Sequence, residues 1–510
     1  SYFRSAQESL MPQYVKANNF KIVMIPMSDF QFGVYEEARV QERKLEVRNA
    51  RKKKKQVDGV FVDTVSTYRI FSRAFCNYVF PRPDIKRPMP NDGENMETAI
   101  LNATSNEDIL DATSVEEKIN DVDGKYERDE IDAEQAEKLL DTRSYQERID
   151  AALKELEQNK QAYLSPSALE TYSPKFLNIL ENLQDDEHKG LHLIYSQFRT
   201  LEGIGILKLV LESNGFAQFK IKQSGKSWEL DITPENMEKP KFVLYTGTET
   251  PEEKEIVRNI FNGFWDMVPS SIAEPLKEIS SNNNMGEIIK IFMITASGAE
   301  GISLKNVRYV HITEPYWHPV RMQQVIGRAR RICSHQDLPE DLRTVDVFLY
   351  LMTFSDKQLS DDRSVELRLK DKGKLTDRPL TSDESLYEVS TIKEEVSEKL
   401  LEAVKESSFD CPLHNTPGEK NEIKCFTFGT TDSSAFSYQP SIDSEDKDSM
   451  SKINKRKIKI SLKSLTIKGI KYAYNDKTKE VFDYDSYKKG TLVLAGQLEI
   501  DGKKFKFIPV

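Results

Sequence analysis

Residues 290–332 read KIFMITASGAEGISLKNVRYVHITEPYWHPVRMQQVIGRARRI. Two apolar runs of strand length, KIFMIT and YVHIT, each stop at a polar turn, and the second leads into the helical VRMQQVIGRARR. Strands that are apolar on both faces belong inside a parallel sheet covered by helices on both sides. Outward from this stretch the alternation continues. LHLIYS at 191–196 precedes RTLEGIGILKLVLESNG, FVLYTG at 242–247 precedes PEEKEIVRNIFNGF, and VDVFLYLMTF at 345–354 closes the series. Strand–helix alternation of this kind predicts an α/β fold with a parallel sheet.

The flanking sequence differs. Of 510 residues 31% are charged, above the ~25% of an ordinary globular chain. The net charge of −10 hides an asymmetry. Residues 92–150 hold 19 acidic and 6 basic side chains, a net of −13, and 451–510 hold 15 basic and 6 acidic, a net of +9. A negative whole-chain charge therefore does not exclude a polyanionic partner. The acidic block reads as an inserted, largely disordered loop. The last 60 residues alternate apolar and polar positions, as in IKISLKSLTIKG and KFKFIPV, and read as a small basic β-rich module. Near the start, FKIVMIPM precedes a helix with Ser28 and Gln31 as its capping box, running to about Lys55. A second capping box, Thr391 and Glu394, predicts a helix whose Val396, Leu400, Ala403 and Val404 form one apolar face. The resulting plan is a helical linking region at 1–90, the acidic insertion at 91–160, the α/β domain at 161–357, a helical extension at 358–429, a linker at 430–451 and the β-rich module at 452–510. No apolar run approaches the ~18 residues of a membrane span. Four cysteines exclude a disulfide scaffold and suit a reducing compartment.

The chemistry concentrates in Gln324-Val325-Ile326-Gly327-Arg328-Ala329-Arg330-Arg331. Two arginines three apart lie on one helix face. Such a fork suits the spread negative charge of a phosphoryl group in transfer, and a basic helix in a salt-bridge network fits the same pattern. Gly327 would allow a close backbone approach. Upstream, Thr295-Ala296-Ser297-Gly298-Ala299-Glu300-Gly301 is a strand-ending turn whose amides could cradle oxygens of phosphate or sugar. No G-x-x-x-x-G-K-[ST] loop occurs. Gln223-Ser224-Gly225-Lys226-Ser227 comes nearest and reads as an exposed turn. Cys411, His414 and Cys425 could offer three zinc ligands or be ordinary loop residues. Tyr472, Tyr474, Tyr484 and Tyr487, interleaved with Lys471, Lys477, Lys488 and Lys489, suit either a nucleic-acid surface or an aromatic core with a lysine rim.

These motifs together resemble the second RecA-like domain of superfamily 2 helicases. QVIGRARRI resembles helicase motif VI, TASGAEGISL motif V, LHLIYSQF motif IV, and EPYWHP the segment that Swi/Snf-like translocases place between V and VI. SRAFCNYVFP, RRICSH and FLYLMTF resemble the helicases of large nucleocytoplasmic DNA viruses. The resemblance implies a RecA-like sheet and site residues. Arg328 and Arg331 would face the γ-phosphate, with Arg331 the finger, and Gln324 would lie near the nucleotide. Gly298, Gly301 and Gly327 would shape the nucleotide side, and Ser196, Gln197, Thr246, Gly247 and Ser297 would touch the tracked strand. It also implies ATP and Mg²⁺, bound mainly by a first RecA-like domain that this sequence lacks, acting in cis or trans. The implied partners are DNA or RNA and viral transcription machinery, in host cytoplasm or virion, with no membrane. Glu314 stands where the Swi/Snf-like pattern has Asp, His318 where it has Asn, and Cys333-Ser334 where it has Gly-Gln. The expected function is the finger-bearing half of an ATP-dependent helicase or translocase, inactive without its other half. The rival reading is a non-catalytic adaptor derived from a split helicase.

Overall fold

The computed structural model describes residues 10–53, 69–81, 150–199, 201–225, 227–246, 249–295, 301–360, 371–408, 411, 462–476, 478–501 and 504–509. They fall into two compact units, Ser1–Lys399 and Leu400–Val510. In the first unit the strands are β1 (Phe20–Pro26), β2 (Leu191–Tyr195), β3 (Ala217–Gln218), β4 (Ile221–Ser224), β5 (Ser227–Leu230), β6 (Lys241–Tyr245), β7 (Ile291–Ile294), β8 (Val307–Ile312) and β9 (Asp346–Thr353). Seven of them form one sheet in the order β1-β9-β8-β2-β7-β6-β3, and every neighbouring pair is parallel.

Alternation along the strands divides the core in two. Ile291 and Met293 join Ile194, Phe242, Tyr350 and Met352 on one face. Phe292 and Ile294 join Leu193, Val243, Val310 and Leu349 on the other. Helices cover both faces. The long helix α1 (Asp29–Lys53), the buried α2 (Ile70–Asn77), α3 (Pro174–Gln184) and α4 (Ile204–Ser213) are followed by α5 (Pro251–Phe261), α6 (Ser270–Ile279), α7 (Pro319–Ala329) and α8 (Ser382–Glu406). Leu180, Leu183, Leu207 and Val210 of α3 and α4 pack in the first cluster. Ile256, Ile260, Ile272, Leu276, Val325 and Ala329 of α5, α6 and α7 pack in the second. This is the α/β parallel sheet with helices on both faces that the strand–helix alternation predicts.

Several elements depart from the sequence reading. FKIVMIPM is not part of a linking region: as β1 it supplies the sheet's outer strand, paired along β9 from Phe20↔Val347 to Pro26↔Thr353. The α/β unit therefore does not begin at 161. Ser28 does cap α1, its Oγ accepting from Gln31 N at 2.9 Å, but the Gln31 side chain donates to Phe75 O at 2.8 Å instead of closing the box. α8 starts nine residues before Thr391. Thr381 and Glu384 form a complete capping box, with Glu384 N donating to Thr381 Oγ1 at 3.1 Å and Thr381 N to Glu384 Oε2 at 2.9 Å. Thr391 instead donates back to Tyr387 O inside the helix. Val396, Leu400 and Val404 are exposed, not buried. The SGKS turn joins β4 to β5 as an antiparallel hairpin, Ser224 opposite Ser227, with Gly225 at φ 64°. A hairpin turn is not a strand-to-helix phosphate loop. Lys226, the acidic insertion and the 430–451 linker lie outside the described residues.

The second unit holds the β-rich module. Strands β10 (Lys463–Ile467), β11 (Ile470–Tyr474), β12 (Glu480–Asp483), β13 (Leu494–Asp501) and β14 (Lys504–Pro509) form an antiparallel sheet in chain order, with a short helix α9 (Tyr484–Lys488) after β12. Cys411 is disulfide-bonded, which removes it as a thiolate ligand for zinc. His414 and Cys425 lie outside the described residues.

One polar chain crosses the apolar sheet. Asn182 Nδ2 donates to Tyr350 Oη at 3.0 Å, and Tyr350 Oη lies 2.8 Å from His311 Nδ1. His311 Nε2 lies 3.0 Å from His192 Nδ1, and His192 Nε2 lies 3.2 Å from His188 O. The His188 carbonyl can only accept, so His192 carries its proton on Nε2, and the order runs back through His311 to Tyr350. Both imidazoles are neutral. Burial pushes His311 down to about 3 and His192 well below the ordinary histidine value. The unfolded chain then binds more protons than the folded one between about pH 6.5 and 3, so these groups stabilise fully above pH 6.5 and lose that contribution as pH falls. Buried Glu42, Glu314 and Glu384 are shifted upward by desolvation and pull the slope the other way. The histidine contribution is therefore read as a difference. Between pH 7.5 and 5, urea denaturation should show the unsubstituted chain losing about 2 kcal/mol more than His311→Gln. Parallel pH profiles would contradict the neutral histidine chain.

Candidate active site

In an all-parallel sheet the strand carboxyl ends share one edge, where open α/β sheets bind ligands. Ser196 follows β2, Thr246 follows β6, Thr295 follows β7 and Thr313-Glu314 follows β8, so that edge gathers the motif residues. After β8 the chain turns into α7. His318 caps it, its Nδ1 accepting from Val320 N at 3.2 Å, and Pro319 takes the first helical position. An N-cap acceptor is the role that Asn would also fill.

α7 ends at Ala329, so Arg331 lies beyond the helix and the one-face argument does not place it. The two arginines nevertheless converge. Arg331 Nη2 donates to Ile302 O at 2.8 Å, and Arg328 Nη1 reaches the same carbonyl at 3.3 Å. Arg331 Nη1 also donates to Ser303 Oγ. Leu304 N in turn donates to Arg328 O at 3.3 Å, so the strand entering β8 and the arginine segment hold each other. The turn after Arg331 is fixed by Ser334, whose Oγ lies 2.8 Å from His335 Nδ1, while His335 Nε2 lies 2.9 Å from Val307 O. Burial lowers His335 to about 4. Cys333 occupies φ 62°, the left-handed conformation that costs a non-glycine residue about 1–2 kcal/mol. Glycine in the Swi/Snf-like pattern meets the same backbone demand.

Arg330 points elsewhere. Its guanidinium carbon lies 4.1 Å from the centre of the Tyr14 ring, and partial burial lowers its pKa. It helps wall a cavity of about 360 Å³ with Tyr14, Phe20, Gln323, Tyr387 and Glu394. Gln324 is exposed, one turn before Arg328. Gly327 has no atom within 4 Å of where a Cβ would sit, so it makes no close approach within the described residues. Gly301 takes φ 74° and is equally open, so its need is conformational. Ser297, Gly298 and Gly247 lie outside the described residues.

The expected strand contacts face inward instead. Ser196 Oγ donates to Glu314 Oε1 at 2.6 Å and Gln197 N to Glu314 Oε2 at 2.9 Å. The Gln197 side chain is held by Arg73 and Pro315 O. Both residues are buried, because a full-length glutamate where the pattern has Asp reaches across and takes their donors. Thr246 is also buried, and its N–H and hydroxyl both go to Glu249. As side chains, Ser196, Gln197 and Thr246 are structural residues of the edge.

Below this edge lies a cluster that the sequence did not announce. Lys175 Nζ donates to Asp383 Oδ2 at 2.6 Å, with neither side chain exposed. It also donates to Asn77 Oδ1 at 2.9 Å and Thr313 O at 3.0 Å. Asn77 Nδ2 donates onward to Glu314, and Met352 N donates to Asp383 at 3.1 Å. Burial raises Glu314, opposed chiefly by the Lys175 charge, and lowers Arg73, opposed chiefly by the Glu314 charge. The available signal was Lys175 itself, in helical register with Ile179 and Leu183 on an otherwise apolar face.

Residues 273–333 match the family described as helicase conserved C-terminal domain. Two proteins of Acanthamoeba polyphaga mimivirus named as ATP-dependent RNA helicases are similar. One is 26% identical over 530 residues, covering 93% of this chain and 57% of the relative. The other is 32% identical over 199 residues, covering 39% and 29%. A termination factor NPH-I homolog of African swine fever virus is 30% identical over 260 residues, covering 49% of this chain and 34% of its own. Residues 273–333 thus match a helicase C-terminal domain, and the chain is similar to helicases of large DNA viruses. It spans under two thirds of the length of each of these relatives. Among the described residues, no helix is long and apolar enough to cross a membrane.

Removing one partner of a buried ion pair leaves a stranded charge and costs about 3–5 kcal/mol. Lys175→Met should therefore lower unfolding stability by that order in urea titration, and Lys175→Met with Asp383→Asn by clearly less. Equal losses for single and double variants would show that the pair is not coupled.

Proposed function

We propose that this chain supplies the arginine-finger half of a nucleic-acid-dependent ATPase, acting in viral transcription or genome handling. The observation that carries the reading is the convergence of Arg328 and Arg331 on the Ile302 carbonyl, in the segment that leads into β8. Both arginines donate to Ile302 O, and Arg331 also to Ser303 Oγ; these are neutral acceptors, and a phosphoryl oxygen would outcompete them because bonds to an ionised acceptor are roughly twice as strong. The termination-factor and RNA-helicase names of the relatives support the setting.

ATP would supply the phosphoryl group under attack, held mainly by a first RecA-like domain together with Mg²⁺. Among the described residues no group of three or more His, Cys, Asp and Glu could hold a metal, and the metal ligands are assigned to that other domain. The donor chemistry here fits the phosphate end of the nucleotide. Arg331 would leave Ser303 and turn its planar fork toward the charge that is redistributed as the bond breaks. Arg328, anchored through Leu304 N, would hold the second position. Arg330 stays on Tyr14 and takes no part.

With the first RecA-like domain present, Arg331→Ala should cut kcat by about 10³ or more, with substrate binding changed far less. Arg331→Lys should not restore it, since a point charge does not reproduce a fork. Arg330→Ala should cost about 0.5–2 kcal/mol of stability through the lost ring contact and leave kcat within a few fold. Equal damage from Arg330→Ala and Arg331→Ala in steady-state ATPase assays would mean that the segment is a structural basic helix. Unchanged turnover in both would favour the adaptor reading.

A further inference from the structure

The four tyrosines of the β-rich module do not share one role. Tyr474 is buried with Val481 and Leu498, and Tyr472 packs against them and on Phe507. These two are core. Tyr484 and Tyr487 belong to α9, with ring centres 6.1 Å apart. Lys471 Nζ lies 4.6 Å and Lys488 Nζ 5.3 Å from the Tyr484 ring centre. Tyr487 is 39% exposed, and Lys488 and Lys489 are exposed beside it.

Two of the module's nearby acids are engaged. Asp476 pairs with Lys463 at 2.8 Å and Lys479 at 3.5 Å. Asp483 caps α9, its Oδ2 accepting from Ser486 N at 2.8 Å. Asp485 stands exposed on α9 itself. Among the described residues, Lys471, Lys488 and Lys489 have no carboxylate at ion-pair distance. Residues 451–510 carry +9 within a chain of net −10, which favours a polyanionic partner for this part of the chain.

We infer that α9 and the adjoining end of β11 form a second nucleic-acid site, binding single strands through their phosphates and one stacked base. Tyr484 organises the lysines: two ammonium groups rest on its ring, where each can meet a phosphate. Tyr487 offers the open ring on which a base stacks. An exposed ring among lysines without ion-paired carboxylates is the makeup of single-strand platforms; Ile470, Leu492, Val493 and Leu494 are exposed beside it, so a protein partner is the alternative that the oligonucleotide measurements decide. The site belongs to the second unit and does not depend on the arginine-finger reading.

The test is fluorescence anisotropy on the full chain with labelled oligothymidylate and oligouridylate of about 20 nucleotides, across about 50–200 mM salt. Tyr487→Leu should weaken binding about tenfold with the salt slope unchanged. Replacing Lys471, Lys488 and Lys489 by Gln should lower the slope by about 2, since each phosphate contact contributes ~0.7 on a single strand. An oligonucleotide bearing 4-thiothymidine should crosslink within 471–489. All three readouts are of binding and none of ATP turnover, so failure of the ATPase reading is seen separately. The two oligonucleotides distinguish DNA from RNA as the source of the phosphates. Unaltered binding by both variants, no crosslink in 471–489, or equal binding of polyglutamate regardless of Tyr487 would each overturn the inference.

Discussion

Lys175 and Asp383 sit at full burial beneath the carboxyl edge of the sheet, and the rest of the edge depends on that pair. Taking two ions out of water costs several kcal/mol each, recovered only with close geometry and satisfied neighbours. Here the neighbours come from distant parts of the chain. Asn77 belongs to α2, Thr313 and Glu314 follow β8, and Met352 lies one residue before the end of β9, so Lys175 on α3 and Asp383 on α8 fix how five elements meet. Apolar packing alone would tolerate small shifts among these elements. A buried ion pair with directional partners does not.

That rigidity passes to the arginine segment through short links. Thr313 and Glu314 lead directly into the turn that His318 caps, and the cap sets the start of α7. α7 is seated by Val325, Ile326 and Ala329 in the core. Its far end is held by Tyr14 under Arg330 on one side and by Ile302 on the other. Arg331 therefore stands on a fixed base although it lies past the last helical residue. A finger must be positioned before the reaction to stabilise its transition state, since reorganising the site during catalysis forfeits much of the gain.

The parts legible in the sequence were those set by local pattern. KIFMIT, LHLIYS, FVLYTG, YVHIT and VDVFLYLMTF are two-sidedly apolar and became β7, β2, β6, β8 and β9. The sheet order and the role of FKIVMIPM were not legible, because β1 pairs with β9 across more than 300 residues of chain and no local periodicity encodes a partner. Two capping boxes overlapped near α8, and the earlier one won because Thr381 also donates to Met352 O at the sheet edge. The exposed stripe of Val396, Leu400 and Val404 has the same 3.6-residue pattern as a buried one. The inward turn of Ser196 and Gln197 rests on Glu314, well over 100 residues away. Their position at the strand end was readable, and their partner was not.

The central claim is that Arg328 and Arg331 serve a phosphoryl group presented by another domain. The most direct measurement is the structure of the two-domain protein with nucleic acid, ADP and aluminium fluoride as a mimic of the transferring phosphoryl. The account predicts that the Arg331 guanidinium has left Ser303 and lies within hydrogen-bond distance of the fluoride, with Arg328 beside it and Arg330 still on Tyr14. Both arginines still bound to Ile302 and Ser303, with the mimic fully occupied, would contradict it.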